Sequence, residues 1–267
     1  MAQLEFDEEL GKQLEAMYRR RDVIRRRRLV MNALCAQPGE DVVDVGCGPG
    51  FYLTELAKQV GPHGSVTGID NASAMLAVAA KRVERHENVA LHHADATSLP
   101  VPDHAFDALL SVQVLEYLSD VDGAIAEIHR VLRPGGRAVI WDVDWATVSW
   151  HSGDDERMRA MLDAWDEHLV HKSIPRTLAL SLRNRGFDKV TAEGHAFTTI
   201  ELDPETYGGS LIDVIAQYVA KRPGMDPDEV RAWRAEQQQL AANGEFYFSC
   251  VQCCFVAHKE GQPPPVR

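Results

Sequence analysis

The chain has no long apolar run. No stretch approaches the ~18–20 consecutive apolar residues of a membrane-spanning helix. Its first ten residues, MAQLEFDEEL, are acidic and lack the apolar core of a secretion signal, so a reducing, cytoplasmic location is expected. Five cysteines in 267 residues are too few, and odd in number, for a disulfide framework. Positive charge is also short: 28 basic against 40 acidic side chains leave a formal net charge of −12. That balance disfavours a general nucleic-acid surface. One basic run stands out against it: Arg19, Arg20, Arg21, Arg25, Arg26, Arg27 and Arg28. These arginines would wrap a helix with no aromatic rings between them, unlike a base-stacking surface. Neither nucleic acid nor membrane is therefore expected as a partner.

What is present is an ordinary globule, 45% apolar and 25% charged. Residues 8–35 read as a helix, with Leu10, Leu14, Met17, Ile24 and Met31 on one stripe that also carries Arg21 and Arg28. Strand and helix signals then alternate. Strands are expected at Asp41–Val45, Ser65–Ile69, Val89–Ala94, Phe106–Ser111 and Arg137–Trp141. Helices are expected at Phe51–Val60, Ala72–His86 and Val121–Leu132. This alternation predicts an α/β fold with a mostly parallel sheet, whose ligand binds beyond the carboxyl ends of the strands. Further on, helices are expected over 154–171, 176–185, 205–220 and 226–242. Strands are expected at Val190–Thr199 and Phe246–Ala257, followed by a disordered tail from His258 to Arg267.

The segment Val43-Asp44-Val45-Gly46-Cys47-Gly48-Pro49-Gly50 carries the chemistry. A glycine loop between a strand and a helix lets a ligand approach the backbone at the positive end of the helix dipole. The loop lacks the G-x-G-x-x-G spacing of a dinucleotide site and the lysine of a P-loop. Asp44 before it would repel a pyrophosphate and suits an ammonium or a bound water. Asp70 closes the second strand 24 residues after Gly46, where a carboxylate can accept both hydroxyls of a ribose. Asp95 follows the third strand and can accept from an exocyclic amine. The expected ligand is a nucleoside with an amino-acid-like end.

The ordered motifs VVDVGCGPG, the acidic Asp70, HADATSLP and RVLRPGGR resemble those of class I S-adenosylmethionine-dependent methyltransferases, in particular the ubiquinone and menaquinone group. The resemblance covers roughly residues 40–145. It implies a doubly wound, Rossmann-like sheet of seven strands, the last antiparallel, with helical lid insertions. It also implies S-adenosylmethionine as cofactor. Asp44, Gly46, Cys47, Gly48 and Gly50 would hold the methionine portion, and Asp70 the ribose, with Asn71 and Met75 beside it. Asp95 and Ala96 would hold the adenine, and Gln113 would line the methyl side. Many members read V-L-E-H after the fourth strand. This chain has Val114-Leu115-Glu116-Tyr117, so a base role for that histidine does not carry over.

A methyl acceptor must be aligned, shielded from water and, if it is a phenol or amine, deprotonated. Candidate bases are Asp142, Asp144 and His151, read as a loop after the fifth strand, with His168 and His171 as lesser ones. Tyr117, Trp145, Trp150 and Trp165 suggest an aromatic acceptor pocket. Arg21 and Arg28 need an anionic partner. The cofactor carboxylate is a natural one, with Tyr18 assisting; a solvated, interrupted helix is the alternative. Cys250, Cys253 and Cys254 cannot close a tetrahedral metal site from one strand, because Cys253 points away from the other two; no metal is expected. The function expected is methyl transfer to oxygen or nitrogen, or carbon, of a small aromatic or polycyclic molecule, in secondary metabolism. A non-methylating cyclase and a nicotinamide oxidoreductase are the rivals, and the protein would be a monomer or homodimer.

Length supports one decorated domain rather than two. Dividing by ~150 residues per domain gives about 1.8. A sheet of this kind with its helices and loops takes about 170 residues, leaving on the order of 100 for helical cover. The expected division is 1–40 as N-terminal cover, 41–145 as the cofactor half, 146–257 as substrate-side helices and the last two strands, and 258–267 as tail.

Overall fold

A computed structural model describes residues 17–261. Seven strands form one sheet in the order β3-β2-β1-β4-β5-β7-β6. They are β1 (Asp41–Val45), β2 (Ser65–Asp70), β3 (Val89–His93), β4 (Phe106–Val112), β5 (Leu132–Trp150), β6 (Phe187–Thr199) and β7 (Phe248–Lys259). β1 pairs in parallel with β2 and β4, and β4 with β5. β7 runs antiparallel between β5 and β6. The strand order reverses between β1 and β4, the switch point where open α/β sheets bind ligands. Residues such as Val42, Val43, Leu109, Leu110, Val139 and Ile140 are inaccessible, because helices cover both faces and both sides of each strand are apolar.

α1 (Arg21–Leu34), α2 (Phe51–Val60) and α3 (Ser73–Val83) lie on one face. Val30, Leu34, Leu53, Leu56 and Val83 there share a core with Leu110, Trp141 and Cys254. α4 (Val121–Val131) and α6 (Pro175–Asn184) cover the other face, where Ile125, Ile128 and Leu178 pack on Leu109, Ile140 and Phe255. The remaining helices, α5 (Asp155–Asp166), α7 (Tyr207–Val219) and α8 (Pro227–Asn243), pack through Met161, Trp165, Ile215 and Trp233 against Trp150 and Phe248. They sit at the extension where β5 and β7 run on past Val112, the last residue of β4. The insertions thus gather at the carboxyl end of β4.

Of the boundaries that differ from expectation, three bear on the site or on the end of the sheet. The first described helix begins at Arg21, because Arg20 is extended (φ −76°, ψ 153°); Leu10 and Leu14 lie outside the described residues. The buried stripe is Val23, Arg26, Arg27, Val30, Met31 and Leu34, so the phase inferred across the break is displaced by about two residues. Strand five is far longer than Arg137–Trp141. Pro134, Gly135 and Gly136 bulge between the Phe106–Leu132 and Ala108–Arg137 pairs, and in the stretch 142–150, expected as loop, residues 142–144 and 149–150 pair with β7 across a break in register. β7 likewise continues through His258 and Lys259, the start of the expected tail. Lys259 is buried there, and its Nζ donates to the carbonyls of His129 (2.7 Å) and Leu132 (2.8 Å). Residues 262–267 lie outside the described residues.

Candidate active site

The loop between β1 and α2 is shaped by its glycines. Gly46 has φ +74°, and a Cβ there would lie 2.2 Å from the Val114 side chain. Only glycine fits both the dihedral and the contact. Gly50 caps α2 at φ +79°, and a Cβ on it would press on Ala79 of α3 at 3.1 Å. The amides of Gly46 and Cys47 both donate to the Ile69 carbonyl, leaving the outer loop free to face a ligand. Cys47 is buried, its sulfur toward Gly68.

Two carboxylates converge on this loop. Asp44 is 1% exposed, and its Oδ2 has no hydrogen-bond partner. Burial, reinforced by the Asp70 charge, pushes its pKa up to about 8. Asp70 accepts from the amides of Gly48 and Ala72, each at 2.8 Å; burial still raises it above the ordinary range. Asp70 therefore ties the loop to the start of α3, where Met75 is buried and Asn71 is exposed. Each of its oxygens keeps a second lone pair for a hydroxyl. Asp95 is exposed and caps Thr97, whose amide and hydroxyl both donate to its Oδ1; Ala96 beside it is half-buried.

α1 brings a guanidinium to the same place, but not the two expected. Arg21 is 64% exposed and pairs with Asp203, and Arg28 lies on the outer face, in a groove with Arg19 and Arg25. The inward arginines are Arg26 and Arg27. Arg27 donates to Glu55 and to the Tyr18 carbonyl. Arg26 is 2% exposed, donates to the Gln113 side chain and leaves its Nε unpartnered. Tyr18 stacks on Phe51, with centroids 5.3 Å apart, and its phenol feels the charges of Arg26, Asp44 and Asp70 together. A buried cation, a buried carboxylate and a half-buried one thus surround one phenol beside the glycine loop.

The far wall is the turn after β4. Gln113 sits at φ +54°, a strained conformation for a side chain with a Cβ. Its amide donates to the Trp141 carbonyl at 2.6 Å, and the turn Leu115–Tyr117 follows. Glu116 is fully buried and accepts from the Trp145 indole (3.0 Å) and the Val143 amide (3.4 Å). Burial raises its pKa. Tyr117 beside it is half-buried and packs on His168, and the Tyr207 phenol of α7 is close enough to influence both Glu116's neighbour Tyr117 and Arg26.

The expected bases stand elsewhere. His151 is exposed at the end of β5 and held only through its backbone, to Tyr247 and Gln237. Asp142 and Asp144 are strand residues, not loop. Asp144 is bound by Arg176 of α6 at 2.8 Å, which ties it to the face of the sheet away from α1. Asp142 is fully buried behind Glu116, and its pKa is raised by burial and by the Glu116 charge. His168 is buried, its Nδ1 on the Trp165 carbonyl, and burial lowers its pKa to about 4. The His171 amide donates to the Glu116 carbonyl. Trp145 and Trp165 join His168 in one aromatic cluster. Trp150 belongs to another, with Trp233 and Phe248. Arg26, Glu116 and Tyr207 were not singled out in the sequence as ligand-facing. Only an inward placement, which a sequence does not display, marks them. Cys250 and Cys254 face the α1 side and Cys253 the other; no metal-holding cluster occurs among the described residues.

With this geometry in place, comparison with known proteins is direct. Residues 43–140 match a family described as a methyltransferase domain. This stretch is a class I methyltransferase domain. A demethylmenaquinone methyltransferase of Staphylococcus aureus is 38% identical over 122 residues, which is 46% of this chain and 51% of that protein. A transposon-encoded 37.1 kDa protein of Streptomyces fradiae is 38% identical over 160 residues, 60% of this chain and 46% of that one. The chain thus spans about half the length of these curated relatives. Among solved structures, the 4+2 cyclase SpnF is 26% identical with a TM-score of 0.58, covering 89% of this chain and 81% of that one. Phosphoethanolamine N-methyltransferase 2 of Haemonchus contortus, 18% identical, shares the fold with a TM-score of 0.63 over 96% of this chain and 58% of that one. No helix among the described residues is long and apolar enough to cross a membrane.

Proposed function

We propose that this protein binds S-adenosylmethionine and transfers its methyl group to a small aromatic or polycyclic acceptor. The observation that carries the reading is the pair of buried polar atoms without hydrogen-bond partners beside the glycine loop, Asp44 Oδ2 and Arg26 Nε. An α-amino acid presents an ammonium and a carboxylate together, and these two groups complement it. Nothing comparable serves a pyrophosphate, which weighs against a nicotinamide cofactor. Asp44 and the Gly46–Gly50 backbone would hold the ammonium side, Arg26 with Tyr18 the carboxylate, Asp70 the ribose, and Asp95 with Ala96 the adenine. When bound, the cofactor supplies an activated methyl on a sulfonium. The chain's own work is to orient the acceptor, through Gln113 and the Tyr117, Tyr207 and Trp145 rings, and to exclude water with α1, α5, α7 and α8.

Mass spectrometry of ligands released from the purified protein, with calorimetric titration of S-adenosylmethionine and of NAD, tests the cofactor. Binding of NAD in place of S-adenosylmethionine would refute the reading. A second reading, cofactor binding without methyl transfer, is favoured by the likeness to SpnF. Tight cofactor binding with no S-adenosylhomocysteine formed across a broad acceptor panel would select it.

A further inference from the structure

Tyr117 stands where many relatives carry a histidine after strand four, His151 is exposed at the end of β5 and Asp144 is paired with Arg176, so the acceptor proton needs another route. Glu116 is the one carboxylate on the turn that also carries Gln113 and Tyr117. It is inaccessible to solvent. Two donors hold its Oε2: the Trp145 indole at 3.0 Å, and the Val143 amide at 3.4 Å. Its backbone carbonyl anchors the amides of Val170 and His171, each at 3.0 Å. The side chain is thereby oriented from β5 and from the segment after α5; its Oε1 has no hydrogen-bond partner, and the Tyr117 phenol next to it in the turn is close enough to influence it. Tyr117 in turn lies within the electrostatic reach of Tyr18 and Tyr207, the phenols on the cofactor side. The arrangement is a buried carboxylate with one unpartnered oxygen and a phenol beside it, on the turn that follows Gln113.

Resting on the methyl-transfer reading above, we propose that Tyr117 and Glu116 form a proton relay for a phenolic or enolic acceptor, Tyr117 touching the acceptor hydroxyl and Glu116 taking the proton behind it. The acceptor O–H bond breaks and its proton passes to Tyr117 Oη as the Tyr117 proton passes to a Glu116 carboxylate oxygen. The acceptor oxygen keeps the electron pair and forms the O–C bond to the methyl that S-adenosylmethionine supplies, whose former bonding pair remains on sulfur. Glu116 returns its proton to water, through Tyr117, once product has left.

Physical chemistry supports the match. Burial raises Glu116, with the Asp142 charge on β5 facing it and the Arg26 charge on α1 opposing the rise; Tyr18, Tyr207 and His168 are the other titratable groups around the pair. A carboxylate of raised basicity approaches that of a phenol or enol and stays far below that of an aliphatic alcohol. The relay therefore selects acidic hydroxyls.

The test uses Glu116→Gln and Tyr117→Phe in the full chain, with a series of phenols of graded acidity that includes a nitrophenol already ionised at neutral pH. Calorimetry first establishes that both variants bind S-adenosylmethionine as the parent does. The parent should show a kcat profile with an acid limb above the ordinary glutamate range of ~4.3. Glu116→Gln should lose at least ~100-fold in kcat on un-ionised phenols, regain about tenfold per pH unit, and lose far less on the nitrophenol. Tyr117→Phe should behave alike. Independently of turnover, tryptophan fluorescence of the cofactor-free parent should titrate as Glu116 beside Trp145 protonates, and Glu116→Gln should abolish that transition. Parent-like pH profiles in both variants, a fluorescence transition surviving in Glu116→Gln, or turnover of no phenol by a cofactor-binding parent would overturn the relay. Failure of the parent to bind S-adenosylmethionine would instead overturn the reading beneath it.

Discussion

Replacing Asp44 by asparagine should make the cofactor-free protein more stable while abolishing its ligand affinity. Asp44 is 1% exposed, and burial with the Asp70 charge moves its pKa from 3.8 to about 8. The folded state therefore holds this proton more tightly than the unfolded chain does. The stabilisation tied to that proton is complete below pH ~4 and is lost as pH rises through the folded value. Each pH unit in that window is worth about 1.4 kcal/mol. The parent thus forfeits about 4 kcal/mol by pH 7 and about 6 kcal/mol above pH 8 at this one site. Asp44→Asn carries no charge to desolvate, so its stability advantage should widen by ~1.4 kcal/mol per unit between pH 4 and 8. Urea unfolding at fixed pH values across that window measures the difference. Parallel stability curves for parent and variant would refute the reasoning. Added S-adenosylmethionine should then raise the parent's midpoint by mass action and leave the variant's unchanged. Calorimetry at pH 7 in buffers of different ionisation enthalpy should detect proton release on binding to the parent only, because a bound cation drives Asp44 to ionise.

Arg26→Ala should weaken cofactor binding by at least ~10-fold, the worth of one charge-assisted hydrogen bond, whereas Arg21→Ala and Arg28→Ala should bind like the parent in the same titration. Gly46→Ala should be destabilising by at least ~2 kcal/mol in a denaturant melt, through both its positive φ and the Val114 clash. Lys259→Met should cost about 1–3 kcal/mol by leaving the half-buried His129 and buried Leu132 carbonyls without their donor; an unchanged midpoint would return His258 and Lys259 to the status of a loose tail.

Much of the cofactor half was legible because it is local. Strand, glycine loop and helix follow one another within twenty residues, and each glycine or aspartate announces itself by type and spacing. Asp44, Gly46, Gly50, Asp70 and Gln113 fall on that pattern, and the structure gathers them at the switch point of the sheet. The basic helix was legible only as a helix. Its phase depended on Leu10 and Leu14 across a break at Arg20, and an error of about two residues exchanged Arg26 for Arg21 and Arg28. Strand five was misjudged for a different reason. Pro134-Gly135-Gly136 reads as a stop, yet a bulge absorbs it, and the strand is prolonged by β7, which arrives more than one hundred residues later.

The sequence by itself determined the α/β class, the antiparallel last strand implied by family resemblance, and the residues that border the cofactor loop, because short-range spacing and residue chemistry suffice for those. The tertiary structure alone decided which buried charges meet. Glu116 is one residue in an apolar turn until β5 supplies the Trp145 indole and the Val143 amide, and Tyr207 is one aromatic residue on α7 until the fold sets it beside Arg26. Burial and long-range pairing raise those groups' pKa values and aim their side chains, and neither is written in the order of the residues around them.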